Sequence, residues 1–143
     1  MRKIFIFMLL CVLLTACNPM SKTYQYENLD ETIEYVELLH NLDPTKEYSE
    51  KNFQLIRKLA KEEIVPFMKK LYSLPTCLGI TPPSRAYGKY VVRVFYQNGD
   101  MEIFSDRYIE LVKAGESSKN ISAYYFSGDV FNDFFLEYVD QIP

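Results

Sequence analysis

The hydrophobic pattern is clearest between residues 90 and 105, where YVVRVFY and MEIFS alternate apolar and polar positions around Gln97-Asn98-Gly99-Asp100. Alternation with a period of two marks half-buried strands. Asn-Gly between two such runs predicts a two-residue type I′ turn, because both central residues then need positive φ. With Asn98 and Gly99 in the turn, Gln97 pairs with Asp100, Tyr96 with Met101, Val94 with Ile103 and Val92 with Ser105. That register predicts a core face of Val92, Val94, Tyr96, Met101 and Ile103. The other face carries Arg93, Phe95, Gln97, Asp100, Glu102 and Phe104, with Arg93 diagonal to Glu102. Arg93, Phe95, Glu102 and Phe104 together make a candidate binding face, aromatic and charged on one side of a sheet.

The period changes elsewhere. Ile64, Phe67, Met68, Leu71 and Tyr72 fall at helical spacing and predict a helix over residues 62–73. Pro66 conflicts with a helix interior, so the helix is expected to begin near Glu63 with Pro66 in or beside its first turn. Val130, Phe131, Phe134, Phe135, Tyr138 and Val139 line a second helix ending near Asp140, with Ser127 as N-cap and Asp129 in the first turn. Residues 31–41 fit both an alternating strand and a helical stripe; the crowding of Ile, Thr, Tyr and Val favours a strand. Asp43-Pro44 reads as a turn. Residues 52–59, 108–113 and 121–126 offer further strands, with a turn over 115–119 before the last. Pro75, Gly79, Pro82 and Pro83 end the first helix and open a loop up to Gly88. The fold class expected is α+β: an antiparallel sheet of four or five strands with two amphipathic helices on one face.

The N-terminus has a different organisation. Arg2 and Lys3 precede an unbroken apolar run from Ile4 to Leu14, followed by small residues and a cysteine. Eleven residues of helix rise only about 16 Å, against a hydrocarbon core of about 30 Å, so the run is too short for an ordinary spanning helix. Leu14-Thr15-Ala16-Cys17 resembles the lipobox of bacterial lipoprotein precursors, with the apolar run in the expected place. The resemblance covers residues 1–17. It implies that the Cys17 thiol receives a diacylglyceryl group and that the chain is cut between Ala16 and Cys17. A thiolate is the best side-chain nucleophile for such an alkyl transfer. Two fatty-acyl chains, of the palmitate kind, anchor stably where one would be marginal.

Roughly residues 29–140 resemble small uncharacterised surface lipoproteins of gut-type bacteria. The similarity lies in the Tyr-Asn-Gly-acid hairpin and the final Tyr/Phe-rich strand and helix. Gln97, between Tyr96 and Asn98, lengthens that hairpin motif by one residue. The expected organisation is a signal peptide (residues 1–16), a short linker from lipidated Cys17 (17–26) and one globular domain (27–143). The linker spans about 30 Å extended, which holds the domain near the lipid headgroups. The resemblance places the protein on the extracytoplasmic side of a cell membrane or an outer membrane, and leaves open whether the host has one membrane or two. Asn18 offers no aspartate for retention at the inner membrane.

Charge and composition narrow the partners. Residues 1–16 hold two of the 16 basic and none of the 19 acidic residues, which leaves 14 against 19 and a mature net charge of −5. A mildly acidic chain without basic clusters argues against nucleic acid and against a polybasic membrane patch. Of the three cysteines, Cys11 leaves with the signal and Cys17 is lipidated, so Cys77 has no partner for an internal disulfide. It is either an apolar filler or a site of intermolecular pairing. Twelve Tyr and ten Phe without Trp suit a half-buried aromatic core more than a glycan-binding surface.

Catalytic patterns are weak. His40 is the single histidine, and no G-x-S-x-G or cysteine-protease signature accompanies it, Cys77 or a serine. A structural zinc site needs four ligands, and on the lipoprotein reading only Cys77 and His40 remain to supply them. Asp30, Glu31, Glu34 and Glu37 form one acidic group, and Asp129, Asp133 and Glu137 another. Two carboxylates could hydrolyse a glycoside, but the second group sits at i, i+4 and i+8, as on a solvated helix face. Leu74-Pro75-Thr76-Cys77 lacks the Gly, apolar tail and terminal position of a sorting signal, and the Asn120-Ile121-Ser122 sequon carries little weight beside a lipobox. The expected function is a non-enzymatic binding, inhibitor or envelope-accessory domain on a membrane anchor, with no cofactor and an unidentified protein or peptide partner. An unrecognised small envelope enzyme is the alternative.

Overall fold

In the computed structural model, residues 32–45, 50–78, 88–107, 109–116, 119–121, 124–126 and 129–139 are described. The lipobox residues Leu14 to Cys17 with Ala16, the 17–26 linker, the loop around Pro82 and Pro83, and Ser127 lie outside them. In chain order the elements are β1 (Ile33–Asn41), a 3-10 turn (Glu50–Asn52), β2 (Phe53–Lys58), α1 (Lys61–Ser73) and β3 (Thr76–Leu78). They continue with β4 (Tyr90–Tyr96), β5 (Met101–Ser105), β6 (Ile109–Val112), β7 (Lys119–Ile121), β8 (Tyr124–Phe126) and α2 (Val130–Val139).

The main sheet runs in the order β2-β1-β4-β5-β6-β7 with every neighbouring pair antiparallel, and β3 pairs with β8 in a separate ribbon. The fold is α+β, as its patterning predicts, with five strands extended at one edge by the three-residue β7. Within the stretch 31–41, Ile33–Asn41 form a strand. The β-branched and aromatic side chains of β1 sit between two partners, β2 and β4, where a pleated surface suits them.

Both helices and the ribbon pack on one face of the sheet. Val36, Leu38, Val92, Val94 and Phe104 meet Phe67, Met68 and Leu71 of α1, Phe126 of β8, and Phe131, Phe134 and Phe135 of α2 in one apolar core. The two helices meet through Phe67, whose ring lies 4.9 Å from Phe134 and 4.8 Å, edge-on, from Tyr138. On the sheet face away from the helices, Leu39, Val91 and Ile103 form a second, smaller cluster with Phe53, Met101 and Val112 against it.

The hairpin register differs from expectation by one residue. Val92 pairs with Phe104, Arg93 with Ile103, Val94 with Glu102 and Phe95 with Met101. The cause is the turn. Gly99 has φ +88° while no other described residue except Gly115 has positive φ, so Asn98 does not take the left-handed conformation a type I′ turn needs. The Gly99 N–H donates to the Tyr96 carbonyl (2.9 Å) and the Tyr96 N–H to the Asp100 carbonyl (3.0 Å), closing a three-residue loop of Gln97, Asn98 and Gly99. This is the type I turn followed by a left-handed glycine bulge. One extra loop residue turns every β5 side chain to the opposite face.

Two other expectations change. Helix α1 begins at Lys61, so Pro66 lies past the first turn and leaves the Glu62 carbonyl without its helical N–H donor. Glu62 and Pro66 are both exposed, which lets water satisfy that carbonyl. The run 121–126, expected as one strand, is divided between β7 in the main sheet and β8 in the ribbon. Local alternation does not say which partner each half takes.

Candidate functional site

On the sheet face away from the helices, β1, β2 and β4 bring together five side chains. Tyr35 pairs with Phe95 and Glu37 with Arg93 across β1 and β4, while Glu37 also faces Lys58 of β2. The Tyr35 and Phe95 rings stack with centroids 4.3 Å apart and planes inclined by 22°. Arg93 donates to Glu37 Oε2 from Nη2 (2.8 Å) and Nε (3.2 Å), and its guanidinium carbon lies 5.6 Å from the Phe95 ring centre. Lys58 Nζ lies 3.6 Å from the centre of the Tyr35 ring. Cations over the negative faces of aromatic rings are attracted to them. Burial, then the nearby Glu37 and Glu34 carboxylates, raise the Tyr35 hydroxyl above its ordinary pKa, so it stays protonated and can donate.

Register irregularities frame this group. The pairing shifts between Ile33 and Tyr35 on the β4 side and between Leu38 and Leu39 on the β2 side. Such bulges re-aim side chains. Beside Tyr35 and Lys58 lies a cleft of about 370 Å³ at the end of the sheet where β1 begins. Ile33, Leu59 and Ile64 supply its apolar lining; Thr32, Glu34, Lys61 and Gln97 supply polar groups. The surrounding elements are held by Arg57 of β2. Its guanidinium donates to the Tyr138 carbonyl at the end of α2 (2.8 Å) and pairs with Glu63, whose other carboxylate oxygen accepts the Ala60 N–H (2.8 Å) at the start of α1. A cation at a helix C-terminus and a carboxylate at a helix N-terminus both suit the helix dipole.

The candidate binding face of Arg93, Phe95, Glu102 and Phe104 divides. Arg93 and Phe95 are half-buried on the outer face; Glu102 and Phe104 lie on the helix side, both fully buried. The one-residue register change is the reason. Glu102 Oε2 accepts the Tyr96 hydroxyl (2.5 Å), and the Tyr96 and Tyr72 hydroxyls lie 3.2 Å apart. Burial, followed by the Glu102 charge, raises both phenols well above their ordinary range. These three groups serve the core.

The other chemistry-bearing residues are dispersed. His40 on β1 lies against the Tyr90 ring at 5.9 Å, while Cys77 belongs to β3, opposite Tyr125 in the ribbon. Asp129, Asp133 and Glu137 are exposed, and Glu137 pairs with Lys70 of α1. Among the described residues no three His, Cys, Asp or Glu side chains group as metal ligands, and no helix is long and apolar enough to cross a membrane. Sequence patterning does not single out Tyr35 or Lys58, and it marks Glu37 only as part of an acidic group. Their meeting with Arg93 and Phe95 depends on long-range strand register, for which Glu37 and Arg93 give only opposite charge as a signal. No family model, curated protein or solved structure matches this chain.

Proposed function

We propose that the protein is a bacterial lipoprotein, anchored through Cys17, whose domain binds a protein or peptide partner without catalysis. The sequence of residues 1–17 supports the anchor: basic residues, an apolar run, then Leu14-Thr15-Ala16-Cys17. The observation that carries the binding role is the Lys58–Tyr35–Phe95 stack beside the Arg93–Glu37 pair on the face away from the helices. Aromatic and Arg side chains dominate the energetics of protein interfaces, and here the strand pairing already restricts them, which lowers the entropy cost of binding. Leu55 adds exposed apolar surface on β2, the neighbouring edge strand among the described residues. The separation of His40 on β1 from Cys77 on β3 weighs against the enzyme alternative; Asp30 and Glu31 of the first acidic group lie outside the described residues.

The test is affinity capture from the protein's own envelope, comparing the natural chain with a Tyr35→Ala/Phe95→Ala variant. A partner recovered in stoichiometric amount should be lost with the variant, at unchanged circular dichroism. Truncating two interface aromatics should weaken binding by about 2–4 kcal/mol, enough to empty the complex. Equal capture by both proteins would exclude this face.

A further inference from the structure

The cleft beside the Tyr35–Phe95 stack opens where the chain from Cys17 enters the fold. Thr32 and Ile33, the first described residues, are part of its lining. The 15 residues from Asn18 to Thr32 can span at most about 54 Å, so on the lipid-anchor reading the cleft lies within reach of the bilayer surface. Its lining carries charged groups of both signs. Lys58 and Lys61, both exposed, share the lining with the carboxylate of Glu34, and Gln97 adds an amide. Ile33 and Ile64 give the same lining an apolar part.

We propose that this cleft binds the phosphoethanolamine headgroup of a phospholipid in the membrane that holds the anchor; the inference rests on lipidation at Cys17. The two ammonium groups complement the phosphate, and Glu34 complements the primary ammonium, which keeps N–H donors that a choline headgroup lacks. The apolar part meets the glycerol and the first methylenes. The cleft's volume of about 370 Å³ lies in the range of small-ligand sites. A single headgroup contact is weak, but tethering to the same membrane raises its effective concentration to roughly the millimolar range, so a weak site is filled. The Lys58 contact with Tyr35 would link an occupied cleft to the aromatic face, bringing membrane and partner to adjoining surfaces.

The full-length chain, processed in a bacterial host and extracted in detergent, is reconstituted into three kinds of vesicle. These are phosphatidylcholine alone, phosphatidylcholine with phosphatidylethanolamine, and phosphatidylcholine with phosphatidylglycerol. A limiting amount of an amine-acetylating reagent, too little to modify more than a small fraction of the phosphatidylethanolamine amines, then reports lysine exposure by peptide mass spectrometry. Lys69, exposed on α1, is the internal reference for reagent consumed by the lipid. The expected result is labelling of Lys58 and Lys61, each taken relative to Lys69, reduced roughly threefold or more with phosphatidylethanolamine, and the reduction abolished by Glu34→Gln. Equal labelling in all three vesicles, or protection by phosphatidylglycerol that matches or exceeds it, would overturn the headgroup assignment. The same spectra report the mass of the Cys17 peptide. An unmodified Cys17 would overturn the anchor and the inference together, whereas an acylated Cys17 with unprotected lysines would overturn the inference alone.

Discussion

Asp100 and Gly99 show how single residues set the sheet. Burial by itself would raise the Asp100 carboxyl. The Ala114 N–H (2.9 Å), the Lys113 ammonium (3.1 Å) and hydrogen bonding at Asn98 instead hold it below the usual carboxylate range. A depressed folded pKa contributes stability that is fully present above the unfolded value near 3.9 and is lost as pH falls through the folded value. Asp100→Asn should therefore lower stability by about 1–2 kcal/mol at neutral pH. In urea titrations across pH, the gap to the natural protein should close below about pH 3.9; a gap constant with pH would remove the charge from the explanation. Gly99 combines φ +88° with an Ala114 side chain 3.1 Å from where a Cβ would stand. Gly99→Ala should cost about 1–2 kcal/mol in thermal or chemical unfolding, and an unchanged midpoint would argue against the glycine bulge. The hairpin itself was legible from Asn98-Gly99 and the flanking alternation. Its register was not, because a positive-φ glycine serves both the two-residue turn and the three-residue loop, and Gln97 decides between them.

At the scale of elements, packing overrides local preference. Helix α1 keeps Pro66 beyond its first turn because Ile64, Phe67, Met68 and Leu71 are buried on one side, while the proline faces solvent. Burial of four such side chains, at about 1.5–3 kcal/mol each, exceeds the roughly 3 kcal/mol an interior proline costs. Pro66→Ala restores the N–H to the Glu62 carbonyl and should raise stability by about 1 kcal/mol, less than the full helix penalty because proline also restricts the unfolded chain. A lower melting temperature for that variant would contradict this account of the helix. Both helices were legible because their apolar stripes keep a 3.6-residue period over three turns. The division of residues 121–126 was not: β3 recruits Tyr124–Phe126 from a distance of some forty-six residues of chain, and nothing local to the run encodes that partner. The candidate site shares this limit. Arg93 and Phe95 stand out in their own strand, while Tyr35 and Glu37 join them only through the pairing of β1 with β4.

For the molecule as a whole, the domain divides its surfaces by role. One sheet face is sealed by two helices and a ribbon. The other carries an aromatic and ionic group next to the end where the chain from Cys17 enters. On the proposed anchoring at Cys17, a short tether and the half-buried Tyr35–Phe95 group would suit a protein that works close to a membrane, with the anchor setting both location and local concentration. Cys17→Ala should leave the domain folded, yet release it from the membrane or leave residues 1–16 attached. The most direct test is mass spectrometry of the N-terminal peptide from the natural protein extracted from the envelope. The account predicts a chain that begins at Cys17 and carries the mass of a diacylglyceryl group on its sulfur. A chain that keeps residues 1–16, or begins elsewhere with an unmodified Cys17, would contradict it.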